Sequence, residues 1–434
     1  MPRKFNNKLH TIYTNIFYGW WLAGISALVM VVGTVPVFQG MPVWFVVLEK
    51  NFGWSRTQLS LAFSLTRVEG TIMGPISGYL IDRLGPRRMV LIGLFTIGVG
   101  FVLFSRISHL WQFYFAFMIM TSGMGIGTWL PMMTVLNNWF IKSRSTAMAI
   151  AMEGFAVGGI VIIPILAWSL DSKNVGPEGW RYTALVIGLA VIALSFPVSK
   201  LVRNKPEDHG LLPYGRSNLR HQNTDVSPEY QNDDRDYTWR QAIRTRTFWL
   251  ISMGHASTSL VVVTLMVHLG TMLSDRGFSI QTIGWVVATQ TGVTALFNIV
   301  GGYIGDKIPI RIALFIFSVI QTAGLVILLI AYTPSMVYIF AIVYGIGFGG
   351  RTPLTTSIRG AYFGRKAFAS ITGISMIPMN ILHLAAPLFA GIMFDLTNSY
   401  DIPFGIIAIV SLIGGFLFLL LGSPANMKIT HSAD

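Results

Sequence analysis

The feature that most constrains this chain is a succession of twelve apolar stretches, most of them at or above the roughly 20 residues a helix needs to cross a hydrocarbon core. They run over residues 18–48, 58–81, 89–104, 110–136, 145–170 and 182–201, then 247–273, 281–304, 312–332, 336–358, 368–394 and 404–421. A bilayer interior offers no water to backbone N–H and C=O groups, so stretches of this length must be helices. Strands of a membrane barrel would be about half as long and would alternate polar with apolar residues. The expected fold class is therefore all-α, a polytopic membrane protein of twelve transmembrane helices. Composition agrees, with only 11% charged residues where a soluble domain carries about 25%.

Residues 203–246 interrupt the series. They are rich in Asn, Asp and Arg and carry the breakers Pro206, Pro213 and Pro228, so they bury too little apolar surface to fold as a domain. The expected organisation is a six-helix half over 1–202, a linker over 203–246 and a second six-helix half over 247–434. Residues 239–247 can also be read as an amphipathic segment lying on the membrane. Residues 1–15 are polar and basic, and the apolar stretch after them is too long for a signal-peptide core, so this segment is read as retained.

The net charge of +13 would suggest nucleic acid in a soluble protein, but here the basic residues lie in the loops. Twenty-three of the 31 Lys and Arg fall on the side that holds both termini and the linker. Six, namely Lys50, Arg56, Arg106, Lys173, Arg181 and Arg276, fall on the other, and Arg67 and Arg351 are left inside spans. The positive-inside bias then places the termini and linker, Asp225 included, in the cytoplasm, with Lys173 and Asp275 outside. No nucleic-acid partner is expected. With no Cys in the chain there is no disulfide framework, thiolate nucleophile or Cys-based metal site.

An internal repeat organises the whole chain. Gly53-Trp54-Ser55 returns as Gly277-Phe278-Ser279, and Gly78-Tyr79-Leu80-Ile81-Asp82-Arg83 as Gly302-Tyr303-Ile304-Gly305-Asp306-Lys307, with Arg87 matched by Arg311, all at an offset of 224. Gly123, Gly125, Gly127 and Pro131 return as Gly345, Gly347, Gly349 and Pro353 at an offset of 222. Two pseudo-symmetric halves follow. Their orientation is parallel, because six crossings bring the chain back to its starting side.

The stretch Gly78 to Arg88 resembles the loop signature of the major facilitator superfamily, Gly-x-x-x-Asp-Arg-x-Gly-x-Arg-Arg, and the resemblance extends over the whole chain. It implies the major facilitator fold, with this loop joining helices two and three and helping to latch the halves on the cytoplasmic side. The latch residues implied are Gly78, Asp82, Arg83, Gly85, Arg87 and Arg88, with Asp306, Lys307 and Arg311 in the second copy. Elementary chemistry is consistent with this: Gly78 permits close helix contact, Asp82 can face a helix N-terminus or a basic partner, and Arg87 and Arg88 can anchor at headgroups.

Charges inside spans are costly and point to function. Arg67, Glu69, Glu153 and Arg351 are the clear cases, and their repeat counterparts Thr291, Val293 and Trp129 (for Arg67, Glu69 and Arg351) are uncharged. One Arg from each half could flank an anion, because a guanidinium stays charged and its fork matches a carboxylate. Gln39, in the much interrupted first span, with Gln290, Asn298 and His383, completes the candidate substrate-binding set. Glu69 and Glu153 are the candidate proton-coupling residues. If Arg67 is paired within its own half, Glu153 is its expected partner, which leaves Glu69 to titrate; a buried structural Arg–Glu pair is the competing reading. No residue grouping suggests a metal site, and no cofactor is expected.

Phe17-Tyr18-Gly19-Trp20-Trp21, Arg67-Val68-Glu69-Gly70, Gly364-Arg365-Lys366-Ala367-Phe368 and Phe394 to Asp401 look like segments of bacterial facilitators grouped with monocarboxylate and oxalate/formate porters. That implies small organic anions as substrates and a bacterial inner-membrane location. The basic residues that oxalate/formate porters carry in helix eight and the helix-one Lys of many monocarboxylate porters have no counterpart here, and helix eleven offers only His383. No Walker-type phosphate loop is present. The function expected is secondary active transport of a small organic anion by a monomer in the lipid bilayer, proton-coupled or by exchange. A proton-coupled exporter of amphiphilic compounds and a transport-inactive membrane sensor are the alternatives.

Overall fold

The computed structural model describes residues 17–54, 56–170, 176–216 and 236–423. Expectations resting on residues 1–15, Lys173 and Asp225 lie outside the described residues. The first span is α1 (Tyr18–Thr34), a π turn (Val35–Gln39) and α2 (Met41–Phe52). Spans two and three are α3 (Arg56–Leu84) and α4 (Pro86–Phe104); span four is α5 (Leu110–Gly127) with α6 (Trp129–Trp139); spans five and six are α7 (Arg144–Leu170) and α8 (Gly179–Leu201). After a short linker helix α9 (Trp239–Ile243), spans seven to ten are α10 (Arg246–Asp275), α11 (Ile280–Gly305), α12 (Ile310–Leu329) and α13 (Pro334–Phe363). Span eleven is α14 (Phe368–Ser375) with α15 (Ile377–Thr397), and span twelve is α16 (Asp401–Leu419). No strand occurs among the described residues; Phe140 and Tyr214 form a single bridge.

The protein is a twelve-helix bundle. Among the described residues, eleven helical runs are long and apolar enough to cross a membrane. The second span, diluted by Arg67, Glu69 and Asp82, crosses as part of the bundle. Large apolar side chains stand exposed along its sides, among them Trp111, Ile160, Trp168, Leu388 and Leu396. That arrangement is stable in lipid and costly in water.

Helix breaks fall where the sequence removes a donor. Pro36 and Pro42 cannot donate to the preceding turn, and the first span loosens into the π turn between them. The carbonyl of Pro36 is taken up by the indole N–H of Trp44 at 3.2 Å. Gln39, on the same turn, donates to the Phe155 carbonyl of α7 at 3.0 Å.

The described part of the linker packs against the bundle. Tyr214 stacks among Phe17, Trp20 and Phe140. Thr238 and Gln241 form a capping box at the start of α9, and Tyr237 meets Phe363 edge-on.

The two halves differ in their cores. In the first half one large apolar cluster runs through Leu22, Trp44, Phe104, Phe113, Trp139 and Trp180, beside a small one of Ile81, Met89 and Leu130 with Ala369. In the second half the core is divided. One cluster, with Leu260, Leu325 and Tyr344, lies toward the end away from the linker. Another, with Phe248, Phe317 and Ile358, lies toward the linker end. Between them Thr258, Gln321 and Arg351 form a polar layer.

At the end away from the linker, each half braces a helix terminus with an Arg. Arg181 donates to the Ser105 and Ile107 carbonyls at 3.0 and 2.8 Å and pairs with Glu178. Arg276 donates to the carbonyls of Leu328, Leu329 and Ala331 and pairs with Asp401.

Candidate functional site

The halves meet at the linker end, through two equivalent contacts. Gly78 on α3 lies against the Ala369 carbonyl at the start of α14, where any Cβ would run into that backbone. Four residues on, Asp82 accepts from the N–H groups of Ala369 and Ser370 at 3.2 and 2.8 Å. In the repeat, Gly302 lies against Ser145 at the start of α7. Asp306 accepts from the N–H groups of Ser145 and Thr146 at 3.0 and 2.9 Å and from the Thr146 hydroxyl at 2.6 Å. Each carboxylate thus sits on the unsatisfied N–H groups and positive dipole end of a helix in the opposite half.

The other residues of the two loops support these contacts. Arg83 donates to the Tyr79 hydroxyl at 2.9 Å, and Lys307 lies over the Tyr303 ring at the equivalent place. Gly85 has φ +85°, a conformation that favours Gly, and the next turn is held by Asn204, which accepts from the Arg87 N–H at 2.9 Å. Arg311 donates to the Leu421 carbonyl. Arg87 and Arg88 are exposed.

Further inter-half contacts complete the seal. The Ser145 and Ser357 hydroxyls lie 2.8 Å apart, and Asn137 donates to the Gly364 carbonyl at 3.2 Å. The deepest polar contact is between Asn298 and Glu153, whose carboxylate accepts from the Asn298 amide at 2.7 Å. Every hydrogen bond described between the halves lies in the linker-side half of the bundle. A cavity of about 1180 Å³ lies on the linker side of Asp306, bounded by Lys142, Lys205, Glu207, Asp236 and Lys366.

The two acidic residues within spans take partners from other spans. Glu153 accepts from Asn298 of the other half; the side chain of Arg67, its expected partner, lies outside the described ones. Glu69 is not free: at 8% exposure it accepts from Thr121 at 2.6 Å and from Ser122. Both carboxylates reach hydroxyl or amide donors on other spans, which a single-helix reading cannot show.

Arg351 is 2% exposed and lies in the polar layer of the second half. It donates to Gln321 Oε1 at 2.8 Å, to the Thr258 hydroxyl at 2.9 Å and to Ser259 at 3.4 Å. Its partners are neutral. Two turns on, Arg359 was expected in a loop, but α13 continues to Phe363 and leaves it 1% exposed. It donates to the Ser375 hydroxyl at 2.5 Å, to the Thr355 carbonyl and to His255 Nδ1 at 2.9 Å. His383, on α15, is half-buried. The buried Gln290 Oε1 and Asn298 Oδ1 have no hydrogen-bond partner among the described residues. No group of three metal-ligating side chains occurs among the described residues.

Comparison with known proteins fits this architecture. The family model of the Major Facilitator Superfamily matches residues 21–279 and 251–433. Monocarboxylate transporter 13 of Rattus norvegicus is 23% identical over 425 residues, covering 95% of this chain and 90% of that protein. A probable L-galactonate transporter of Escherichia coli (strain K12) is 25% identical over 403 residues, covering 87% and 84%. The oxalate:formate antiporter of Oxalobacter formigenes is 22% identical over 265 residues, covering 60% and 57%. Among solved structures, the transporter FucP in the outward conformation superposes with a TM-score of 0.71 at 13% identity, covering 92% of this chain and 98% of that one. Fold, repeat and family match agree, and the chain belongs to the Major Facilitator Superfamily of membrane transporters, which are not enzymes.

Proposed function

We propose that this protein is a secondary transporter that carries a small organic anion, a carboxylate, by alternating access. What carries the reading is Arg351, a guanidinium buried among neutral partners at the middle of the second half. An uncompensated cation costs several kcal/mol in a low-dielectric interior, and an anionic substrate supplies the missing charge. Relatives named for monocarboxylates, for oxalate and formate, and for L-galactonate support the same substrate class. Arg67 contributes from the first half, and Gln39, Gln290, Asn298 and His383 supply neutral polar groups.

In this reading the linker end is cytoplasmic, in line with the excess of Lys and Arg there. The Asp82 and Asp306 contacts then close the cytoplasmic side, and the halves part toward the outside. Glu153 is the favoured proton-coupling residue because its carboxylate touches the opposite half, so gain of a proton is felt at the boundary. Glu69 is the second. The working unit is a monomer in the inner membrane.

The test is uptake of labelled formate, oxalate and L-galactonate into proteoliposomes by wild type, Arg351→Lys and Arg351→Gln. Wild type is expected to carry at least one of them, the Lys variant to retain part of the rate and the Gln variant to lose at least tenfold. Undiminished uptake in Arg351→Gln overturns the assignment.

A further inference from the structure

Arg359 has no role in the reading above, yet it is the second fully buried guanidinium of the same helix. Neither it nor Arg351 has a carboxylate among its hydrogen-bond partners in the described residues. Each of its three nitrogens donates once, to Ser375, Thr355 and His255. A guanidinium carries five N–H groups, so two remain for a ligand. The acceptors already present are neutral and leave the charge unbalanced.

Its position on α13 is what gives this charge a use. Ser357 and Gly360 flank it in sequence, and both touch the first half: Ser357 through Ser145, Gly360 against Asn137. Ser375, its partner in span eleven, ends α14, the helix whose N-terminus is held by Asp82. The helix that carries Arg359 and the helix that carries its partner Ser375 are thus both fastened to the first half. Parting of the halves at the linker end would free both helices. Arg351 and Arg359 are eight residues apart, about 12 Å along a helix. Each holds its own acceptors, Gln321 and Thr258 for Arg351 and Ser375 and His255 for Arg359.

We propose that Arg359, with His255 and Ser375, is a second anion-binding station on the linker side of Arg351, which receives the substrate carboxylate when the linker-end seal opens. The proposal rests on the organic-anion reading and adds to it a site used from one side. An anion leaving Arg351 would otherwise enter a sealed apolar layer formed by Phe248, Phe317 and Ile358; Arg359 provides a cation within that layer.

The experiment compares labelled oxalate, formate and L-galactonate uptake in inside-out and right-side-out membrane vesicles. Arg359→Gln is expected to raise KM at least tenfold when substrate is offered from the linker side and less than twofold from the opposite side, with Arg359→Lys intermediate. Equal changes from both sides, or none, overturn the second station. A second measurement uses Ser375→Cys in this Cys-free chain, and it does not depend on the Arg359 variants folding. The anion carried by wild type should slow modification by a membrane-impermeant thiol reagent applied from the linker side at least fivefold. Absence of protection also overturns the proposal. Loss of the organic-anion reading looks different: wild-type vesicles would carry none of the three anions.

Discussion

A carboxylate placed on a helix N-terminus satisfies two N–H groups that the helix itself cannot, and both Asp82 and Asp306 do this across the boundary between halves. The loop after Asp306 lacks the second Gly and the paired arginines, so by motif alone it ranks below its partner. Its bonds rank otherwise, since Asp306 adds the Thr146 hydroxyl to the two backbone donors. An Asn keeps one acceptor oxygen but not the charge, which is worth up to about 1 kcal/mol against the dipole of a helix terminus. Asp82→Asn and Asp306→Asn are each expected to lower uptake at least tenfold, by comparable factors, with the folded protein recovered in normal yield. Uptake that is normal in one and abolished in the other would show that the two contacts are not equivalent. Individual intramembrane charges were legible as such, because an ionisable residue in an apolar run stands out. Their partners were not. Thr121 and Ser122 for Glu69, Asn298 for Glu153 and Gln321 for Arg351 come from other spans, and no spacing along one helix encodes them.

Among the elements, span positions were legible to within a few residues, because every helix crossing lipid must be apolar over about 20 residues. Span ten is the informative exception. The stretch reads as ending at Ile358, which leaves Arg359 outside; in the bundle Thr355, Thr356, Ser357 and Arg359 are buried and α13 extends to Phe363. A polar run ends a span only where it faces water. The linker could be read as lacking a domain, but not as docked. Arg365 and Glu207 fasten it to the loop after span ten, with N···O 2.8 Å. Burial alone would raise the Glu207 carboxyl, but the Arg365 guanidinium, with the local backbone and Lys205, holds it below the ordinary 4.5. A depressed folded value means that the pair stabilises the fold above the ordinary value and loses that contribution as pH falls through the depressed one. Glu207 is partly exposed, so the effect is at most about 1 kcal/mol. Melting of wild type and Glu207→Gln should differ by a few degrees at pH 7 and converge below about pH 4; a gap that persists in acid removes the ion pair as its cause.

At the scale of the whole molecule, the repeat was the most legible feature, since a constant offset over many residues fixes the equivalence of the halves without any knowledge of packing. The asymmetry between them was not legible. One half has most of its apolar core in one large cluster, and the other has a core divided by a hydrogen-bonded layer. The closed linker end can be trapped directly. Ser145 and Ser357 have side-chain oxygens 2.8 Å apart, and paired thiols there can meet the geometry of a disulfide. In Ser145→Cys with Ser357→Cys, oxidation is expected to stop uptake and reductant to restore at least half of it, while each single variant ignores both treatments. Uptake that continues in the oxidised pair would mean that the halves need not part at this place.

The cations at the opposite end reveal a different kind of equivalence. Arg181 opens span six and Arg276 closes span seven, so no repeat relates them, yet each gathers the last carbonyls of the third helix of its own half. Two unrelated positions have converged on one duty, the stiffening of a rim. A mouth between such rims has fixed jambs: its width follows from how the two blocks tilt, and no helix end has to unravel to let a passenger through.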